Sequence, residues 1–152
     1  MESRALHSQN VLILDGGFAT EAEKQKGCTF KTGLWSSQLL VEGDHDTVLD
    51  VHKRFLEAGA DIIESNTYHC AIKVLRESGV AAATAKEICA LGIRLARKAI
   101  ENYKAQNPTN KSREMFVAGS IGPYGVVLHD CSEYNGHYMK TSDPKVVVKS
   151  YK

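Results

Sequence analysis

The sequence lacks the features typical of secreted, membrane-spanning and nucleic-acid-binding proteins. Residues 1–10 contain no apolar stretch, so we predict no signal peptide. The apolar run at residues 11–14 is far too short to cross a bilayer. Because 19 basic residues nearly balance 18 acidic ones, no charge excess favours nucleic acid or an anionic membrane. We therefore expect a cytoplasmic protein that binds neither nucleic acid nor membrane.

The four cysteines also lack a pattern with a known chemistry. None belongs to a CxxC pair, and their wide spacing does not resemble a disulfide scaffold. His69 adjoins Cys70 and His129 lies close to Cys131, but neither pair matches the spacing of zinc ligands. We predict reduced thiols and no complete metal site in this chain.

Three short apolar segments predict the strands of a parallel sheet. They cover residues 11–14, 60–63 and 115–118. The first is apolar on both faces, as buried parallel strands are, and all three end in small or polar residues. With 152 residues and 43% hydrophobic side chains, the chain has the size and composition of one globular domain.

The segments between these strands have the spacing of amphipathic helices. One helix is predicted from an N-cap at His45-Asp46 to a stop at Gly59. A second is predicted from a T-x-x-E capping box at Thr84 and Glu87 to a stop at residues 107–108. Strands that alternate with helices indicate the α/β class and a parallel sheet.

A further helix is predicted close to the end of the chain. Ser142 and Asp143 form an N-cap before Pro144, and the chain ends at Lys152. A complete (β/α)8 TIM barrel needs about 250 residues. We therefore expect the N-terminal portion of such a barrel, truncated after about three βα units. Residues 1–10 would be an N-terminal tail and residues 11–152 a partial barrel domain with two open sheet edges.

The loops after the three strands are the candidate site, because parallel α/β folds bind ligands at the carboxyl ends of strands. Asp15 offers a carboxylate for a substrate ammonium, and Gly16 and Gly17 let a ligand approach the backbone. A plain Asp-Gly-Gly turn explains this segment equally well. Segment 119–123 is Gly-rich but lacks both GxGxxG and a P-loop, so no nucleotide site is predicted.

The second strand end and the last loop leave two interpretations open. Alternation predicts that Ser65 and Thr67 point one way and Asn66 the other. These polar side chains either bind a ligand or cap the backbone. The polar and aromatic loop at residues 124–138 either covers a pocket or is an ordinary surface loop.

Four segments, taken in order, resemble the homocysteine S-methyltransferase family. They are VLILDGGFATE, LWSSQLL, VHKRFLEAGADIIESNTY, and VAGSIGPYG with HDCSEYNGHY, and they span about residues 11–138. The sequences of these segments are most similar to the branch of the family that uses S-methylmethionine or S-adenosylmethionine as methyl donor.

The resemblance implies a (β/α)8 barrel in which zinc binds homocysteine as a thiolate. That thiolate attacks the methyl group of a sulfonium donor and yields methionine. The resemblance also implies a substrate-binding cradle formed by Asp15, Gly16, Gly17, Glu21, Asn66, Thr67, Tyr68, Gly119 and Ser120.

The family's zinc-binding cysteines lie in the later half of its barrel, and none of this chain's cysteines falls on a ligand position. We therefore leave the catalytic residues unassigned and expect no methyl transfer by this chain alone. Two alternatives remain open. The chain is a non-catalytic product that binds a full-length relative through its sheet edges, or it is a fragment of a longer protein.

Overall fold

The chain forms a small parallel sheet that is covered by helices. The computed structural model describes residues 11–149, so the predicted tail and the final three residues lie outside the described part. Its strands are β1 (Ile62–Glu64) and β2 (Phe116–Ala118). Its α-helices are α1 (Phe18–Lys26), α2 (Gln38–Glu42), α3 (His45–Glu57), α4 (Ile72–Glu77), α5 (Ala82–Gln106), α6 (Tyr124–Leu128), α7 (Tyr138–Thr141) and α8 (Pro144–Lys149).

The strands lie across the sheet in the order in which they occur along the chain. β1 pairs in parallel with β2, and Leu14 forms a parallel bridge to Ile62. The N–H of Asp15 donates to the Ile62 carbonyl at 2.9 Å, and the N–H of Ile62 donates to the Ile13 carbonyl at 3.0 Å. Helix α3 separates the first two strand positions and helix α5 the next two, which confirms the predicted alternation.

The first predicted strand differs from expectation in extent and burial. Only Leu14 pairs as strand, and Val11 is 77% exposed, Ile13 56% and Leu14 51%. The prediction of a buried strand at residues 11–14 is therefore wrong. The reason is that, within residues 11–149, this segment has a paired neighbour on one side only.

The two longest α-helices within residues 11–149 are α3 and α5, and their starts are formed in different ways. Helix α3 begins at an N-cap on Asp44, whose carboxylate accepts hydrogen bonds from the N–H and hydroxyl of Thr47. The cap therefore lies one residue before the predicted His45-Asp46 pair. The helix ends close to Gly59 as predicted, and the φ angle of Gly59 is +107°. Helix α5 starts at Ala82 without a side-chain cap, so the predicted capping box at Thr84 is wrong.

None of the helices within residues 11–149 has the length and apolarity that a membrane crossing requires.

Two clusters of buried apolar side chains form the core. One joins helices α1 to α5, and the other joins α3 and α5 to the sheet through Leu56 and Ile63, both fully buried. Complete burial of each such side chain contributes roughly 2 kcal/mol to the free energy of unfolding.

Opposite the strand ends, the Arg113 guanidinium binds the Asp61 carboxylate at 3.0 Å and the carbonyl of Gly59. This contact ties the end of α3 to the starts of β1 and β2, at the end of the sheet opposite the strand-end loops.

Candidate functional site

The three strand ends meet at one edge of the sheet. Asp15 follows the Leu14 bridge, Ser65 follows β1 and Gly119 follows β2. Because the three strand positions are parallel and adjacent, the loops that leave them lie side by side. The predicted grouping of the strand-end segments is therefore present in the fold.

Asp15 has one oxygen engaged and one without a partner. Its Oδ2 accepts a hydrogen bond from the N–H of Glu64 at 2.9 Å. Its Oδ1 is buried and has no hydrogen-bond partner among the described residues. Burial raises the pKa of Asp15 to about 6, the Glu64 N–H opposes that rise, and the nearby Glu64 carboxylate adds to it. A cation placed at Oδ1 would satisfy that oxygen and stabilise the charged form.

Helix α1 starts three residues after Asp15 in the sequence. Gly17 is its N-cap in extended conformation and supplies no side-chain cap. The first intrahelical bond runs from the N–H of Glu21 to the carbonyl of Gly17 at 3.1 Å. The N–H groups of the first turn are therefore available to an acceptor, and the helix dipole favours a negative one. A half-buried carboxylate and a helix start without a side-chain cap thus lie within three residues of each other along the chain.

The loops after β1 and β2 are joined by hydroxyl groups. The Ser65 and Thr67 hydroxyls lie 2.7 Å apart. The N–H of Ser120 donates to Ser65 Oγ at 3.0 Å, and the Thr67 hydroxyl donates to the Ser120 carbonyl at 2.8 Å. These contacts fix the backbone of Gly119 and Ser120 next to the end of β1. Sequence reasoning identified the direction of Ser65 but not its role in holding Ser120.

Asn66 points the opposite way, as alternation predicted. Its side-chain amide donates to the Ser36 carbonyl at 3.0 Å, and its Oδ1 accepts from the Ser36 hydroxyl at 3.1 Å. The Ser37 hydroxyl donates to the Asn66 carbonyl at 3.0 Å. The side chain is buried and these contacts hold the LWSS segment behind the sheet. For Asn66 the geometry matches the backbone-capping interpretation that the sequence left open.

The other predicted site residues lie in helix α1 and in the segments that follow β1 and β2. Glu21 is in the first turn of α1, and its carboxylate lies 3.9 Å from the Arg54 guanidinium of α3. Tyr68 is exposed and its ring contacts His69 edge-on at 5.0 Å. Gly119 is exposed at the end of β2. The roles of these residues in binding remain predictions.

The loop at residues 124–138 forms one wall of a separate cavity of about 440 Å³. His69, Glu77, His129 and Glu133 line it, with His129 3.5 Å from Glu77. Burial lowers the pKa of His69. Glu133 Oε2 is buried and has no hydrogen-bond partner among the described residues. Of the two interpretations of residues 124–138, a pocket wall and a surface loop, the pocket wall fits the structure. The SEY motif in this loop contains Glu133, but the sequence alone did not assign that residue a role.

A metal does not fit the residues present. Across residues 11–149, no group of three or more His, Cys, Asp or Glu side chains is arranged to hold a metal ion. The four cysteines are free, and they range from buried Cys70 to exposed Cys131. No zinc-dependent step can be built from these side chains.

Comparison with known proteins identifies the family. The profile of the family described as homocysteine S-methyltransferase matches residues 12–152. Homocysteine S-methyltransferase of Escherichia coli is 39% identical over 133 residues, which are 88% of this chain and 42% of that protein. Selenocysteine Se-methyltransferase of Brassica oleracea is 36% identical over 132 residues, 83% of this chain and 38% of that protein.

A solved structure matches the fold. The metallated form of the E. coli homocysteine methyltransferase MmuM superposes with a TM-score of 0.80 at 40% identity, covering 89% of this chain and 46% of that one. This chain thus spans less than half the length of these relatives. Its three parallel strand positions and their helices are a portion of a (β/α)8 TIM barrel, as predicted. The chain belongs to the homocysteine S-methyltransferase family.

Proposed function

We propose that this chain supplies the part of a homocysteine S-methyltransferase site that binds the amino-acid end of the substrate. The observation that carries the proposal is the buried, unpartnered Oδ1 of Asp15 beside the uncapped start of α1. A zwitterionic amino acid carries an ammonium and a carboxylate on neighbouring atoms. The ammonium would bind Asp15, and the carboxylate would accept from the first-turn N–H groups after Gly17.

The other strand ends shape this cradle. Gly16 keeps the backbone accessible, and a Cβ added there would approach the Phe55 ring to 3.3 Å. Ser65 and Thr67 hold Ser120 in place beside the end of β1. This arrangement recognises what homocysteine and related thiol or selenol amino acids share. The identity of the methyl donor, expected from the resemblance to be a sulfonium compound, depends on other parts of the family's barrel.

We further propose that the 152-residue chain does not transfer methyl groups alone. The family is expected to use zinc to activate the homocysteine sulfur, and residues 11–149 offer no group that could hold it. The test is an assay of the purified chain with homocysteine, S-methylmethionine and added zinc salt. We expect no methionine above a control without protein. Sustained turnover would contradict the proposal.

A second candidate function rests on the exposed edge segment, residues 11–14. Three of its apolar side chains are at least half exposed: Val11, Ile13 and Leu14. An open parallel edge of this kind can pair with another chain, so the chain is a candidate for association with a full-length relative. Light scattering coupled to size-exclusion chromatography tests this candidate in a mixture of the two proteins. Separate elution of both proteins at their own masses would exclude it.

A further inference from the structure

Cys70 and Cys89 form a pair of thiols that the proposed function does not use. Cys70 is buried in the turn after Tyr68, and Cys89 is half-buried in helix α5. The thiol of Cys89 donates to the carbonyl oxygen of Cys70 at 3.3 Å. Both side chains also belong to the same apolar cluster and line the same cavity. Two cysteines that are distant in sequence are therefore in contact in the fold.

The two thiols differ in acidity because of this contact. The interaction with Cys89, together with burial, raises the pKa of the Cys70 thiol far above its ordinary value. The same interaction lowers the pKa of Cys89 to about 7 against the opposing effect of burial. Of the two thiols, Cys89 is therefore the one that ionises more readily. The thiolate is the form that reacts with electrophiles.

Cys89 is reached from a cavity of about 480 Å³ that is also lined by the strand-end residues Thr67, Gly119 and Ser120. The cavity lies between helix α5 and the loop after β2, and its walls include Lys86, Ile93 and Pro123. Both cysteines line it, but Cys70 is only 6% exposed. A small uncharged oxidant would therefore meet the Cys89 sulfur first.

We propose that Cys70 and Cys89 are a redox site that a hydroperoxide converts into a disulfide. The Cys89 thiolate attacks one peroxide oxygen, the O–O bond breaks, and Cys89 sulfenic acid forms as hydroxide leaves. That hydroxide takes the proton of the Cys70 thiol and becomes water. The Cys70 sulfur then attacks Cys89 Sγ and displaces a second hydroxide, which takes a proton from solvent. In total, two thiols and one hydrogen peroxide give one disulfide and two waters.

The disulfide would tether helix α5 to the turn that carries Thr67 and Tyr68. The N–H of Cys70 already donates to the Thr67 carbonyl at 2.9 Å, so this turn is short and tight. Oxidation would thus restrain one of the three strand-end loops. The redox proposal itself does not depend on the ligand of those loops.

The test is peptide mapping of the whole chain by mass spectrometry after treatment with one equivalent of hydrogen peroxide. We expect a Cys70–Cys89 cross-link as the main product, with Cys28 and Cys131 still open to alkylation. The same treatment in denaturant is the control, and it should remove the selectivity. Absence of the link in the folded chain, or equal pairing among all four cysteines, would overturn the proposal.

Single variants test the order of the two steps. In Cys70→Ser, the sulfenic acid on Cys89 has no thiol beside it, so labelling by dimedone should increase several-fold. In Cys89→Ser, dimedone should not label Cys70. Cys28→Ser is the matched control and should behave like the parent chain. Labelling of Cys70 in Cys89→Ser at the rate seen for Cys89 would contradict the assignment of Cys89 as the attacking sulfur.

Discussion

Asp15 shows how a single side chain links the fold to the proposed chemistry. Its Oδ2 joins the end of the first strand position to β1 through the Glu64 N–H, while its Oδ1 has no partner among the described residues. A carboxyl group in this position is costly to ionise, which is why burial raises its pKa to about 6. A bound ammonium would offset that cost, so the site is suited to a cationic group.

The ionisation of Asp15 gives a pH dependence for amino-acid binding. Because the ammonium needs the carboxylate, we expect homocysteine affinity to be highest between about pH 7 and pH 8 and to fall towards tenfold per pH unit below about pH 6. Asp15→Asn should weaken binding at about pH 7.5 by roughly tenfold to a hundredfold, and should remove the pH dependence. Titration calorimetry at several pH values measures both effects.

The stability of the same variant provides the control. Asparagine can still accept the Glu64 N–H bond and carries no charge to bury, so Asp15→Asn should unfold at the same or a slightly higher temperature at neutral pH. A variant that binds homocysteine as the parent does would exclude Asp15 as the ammonium partner.

His52 is a buried base with no polar partner. It is fully buried in α3, its ring contacts Phe18 at 5.2 Å, and neither ring nitrogen has a hydrogen-bond partner among the described residues. Burial lowers its pKa from 6.5 to about 4. The folded state thus holds this histidine neutral, whereas the unfolded chain binds a proton below pH 6.5.

This difference should make the protein less stable in mild acid. The folded pKa lies below the unfolded one, so stability is complete above about pH 6.5 and declines as the pH falls towards 4. The loss approaches about 3 kcal/mol. In His52→Leu this component should be absent. Urea unfolding of both proteins between about pH 7 and pH 4.5 measures the difference. Parallel pH profiles would show that His52 contributes nothing.

At the scale of elements, Gly122 controls how the loop after β2 packs. A Cβ at this position would clash with the carbonyl oxygen of Tyr68, which belongs to the loop after β1. The two strand-end loops therefore approach each other closely only because residue 122 has no side chain. Gly119, at the end of β2, has nothing within 4 Å of such a Cβ.

This contrast gives a matched pair of variants. Gly122→Ala should destabilise the fold by about 1–3 kcal/mol, because the clash involves backbone that must move. Gly119→Ala should change the free energy of unfolding by less than about 0.5 kcal/mol. Chemical denaturation of the two variants gives both values. Equal stabilities would mean that the loops do not pack as described.

The sequence predicted most elements but not all of their limits. The periodicity of α3 and α5 and the apolar runs of β1 and β2 are strong local signals, and the N-cap before Pro144 was also correct. The start of α5 was wrong because residues 81–83 are alanine, which extends the helix past Thr84 without a cap. The short helices α1, α2 and α4 were not predicted because packing, rather than local periodicity, stabilises them.

The grouping of the strand ends was predictable, but the connections between them were not. Strand order and direction are enough to bring the segments of Asp15 and Ser120 to the same end of the sheet, and their role in binding stays a prediction. The hydrogen bonds between Ser65 and Ser120 and between Asn66 and Ser36 join residues far apart in sequence. No spacing in a single chain reveals such pairs, and the same holds for the contact between Cys70 and Cys89.

At the scale of the whole molecule, residues 11–149 combine two buried apolar clusters with an exposed edge segment. It matches 46% of the MmuM chain, and its exposed apolar side chains include those of the edge segment. The strand-end cradle lies at the carboxyl ends of the strands and is built from residues between 15 and 120. We therefore expect the cradle to bind an amino acid without a metal group.

The most direct test of this claim is a titration of the ¹⁵N-labelled chain with homocysteine, followed by NMR. We expect progressive shifts of the amide signals of Gly16, Gly17, Phe18 and Ser120, with little change elsewhere. These shifts should be absent in Asp15→Asn and with 4-mercaptobutanoate, which lacks the ammonium. Shifts centred on the cavity lined by His129, or equal shifts with both ligands, would contradict the proposed cradle.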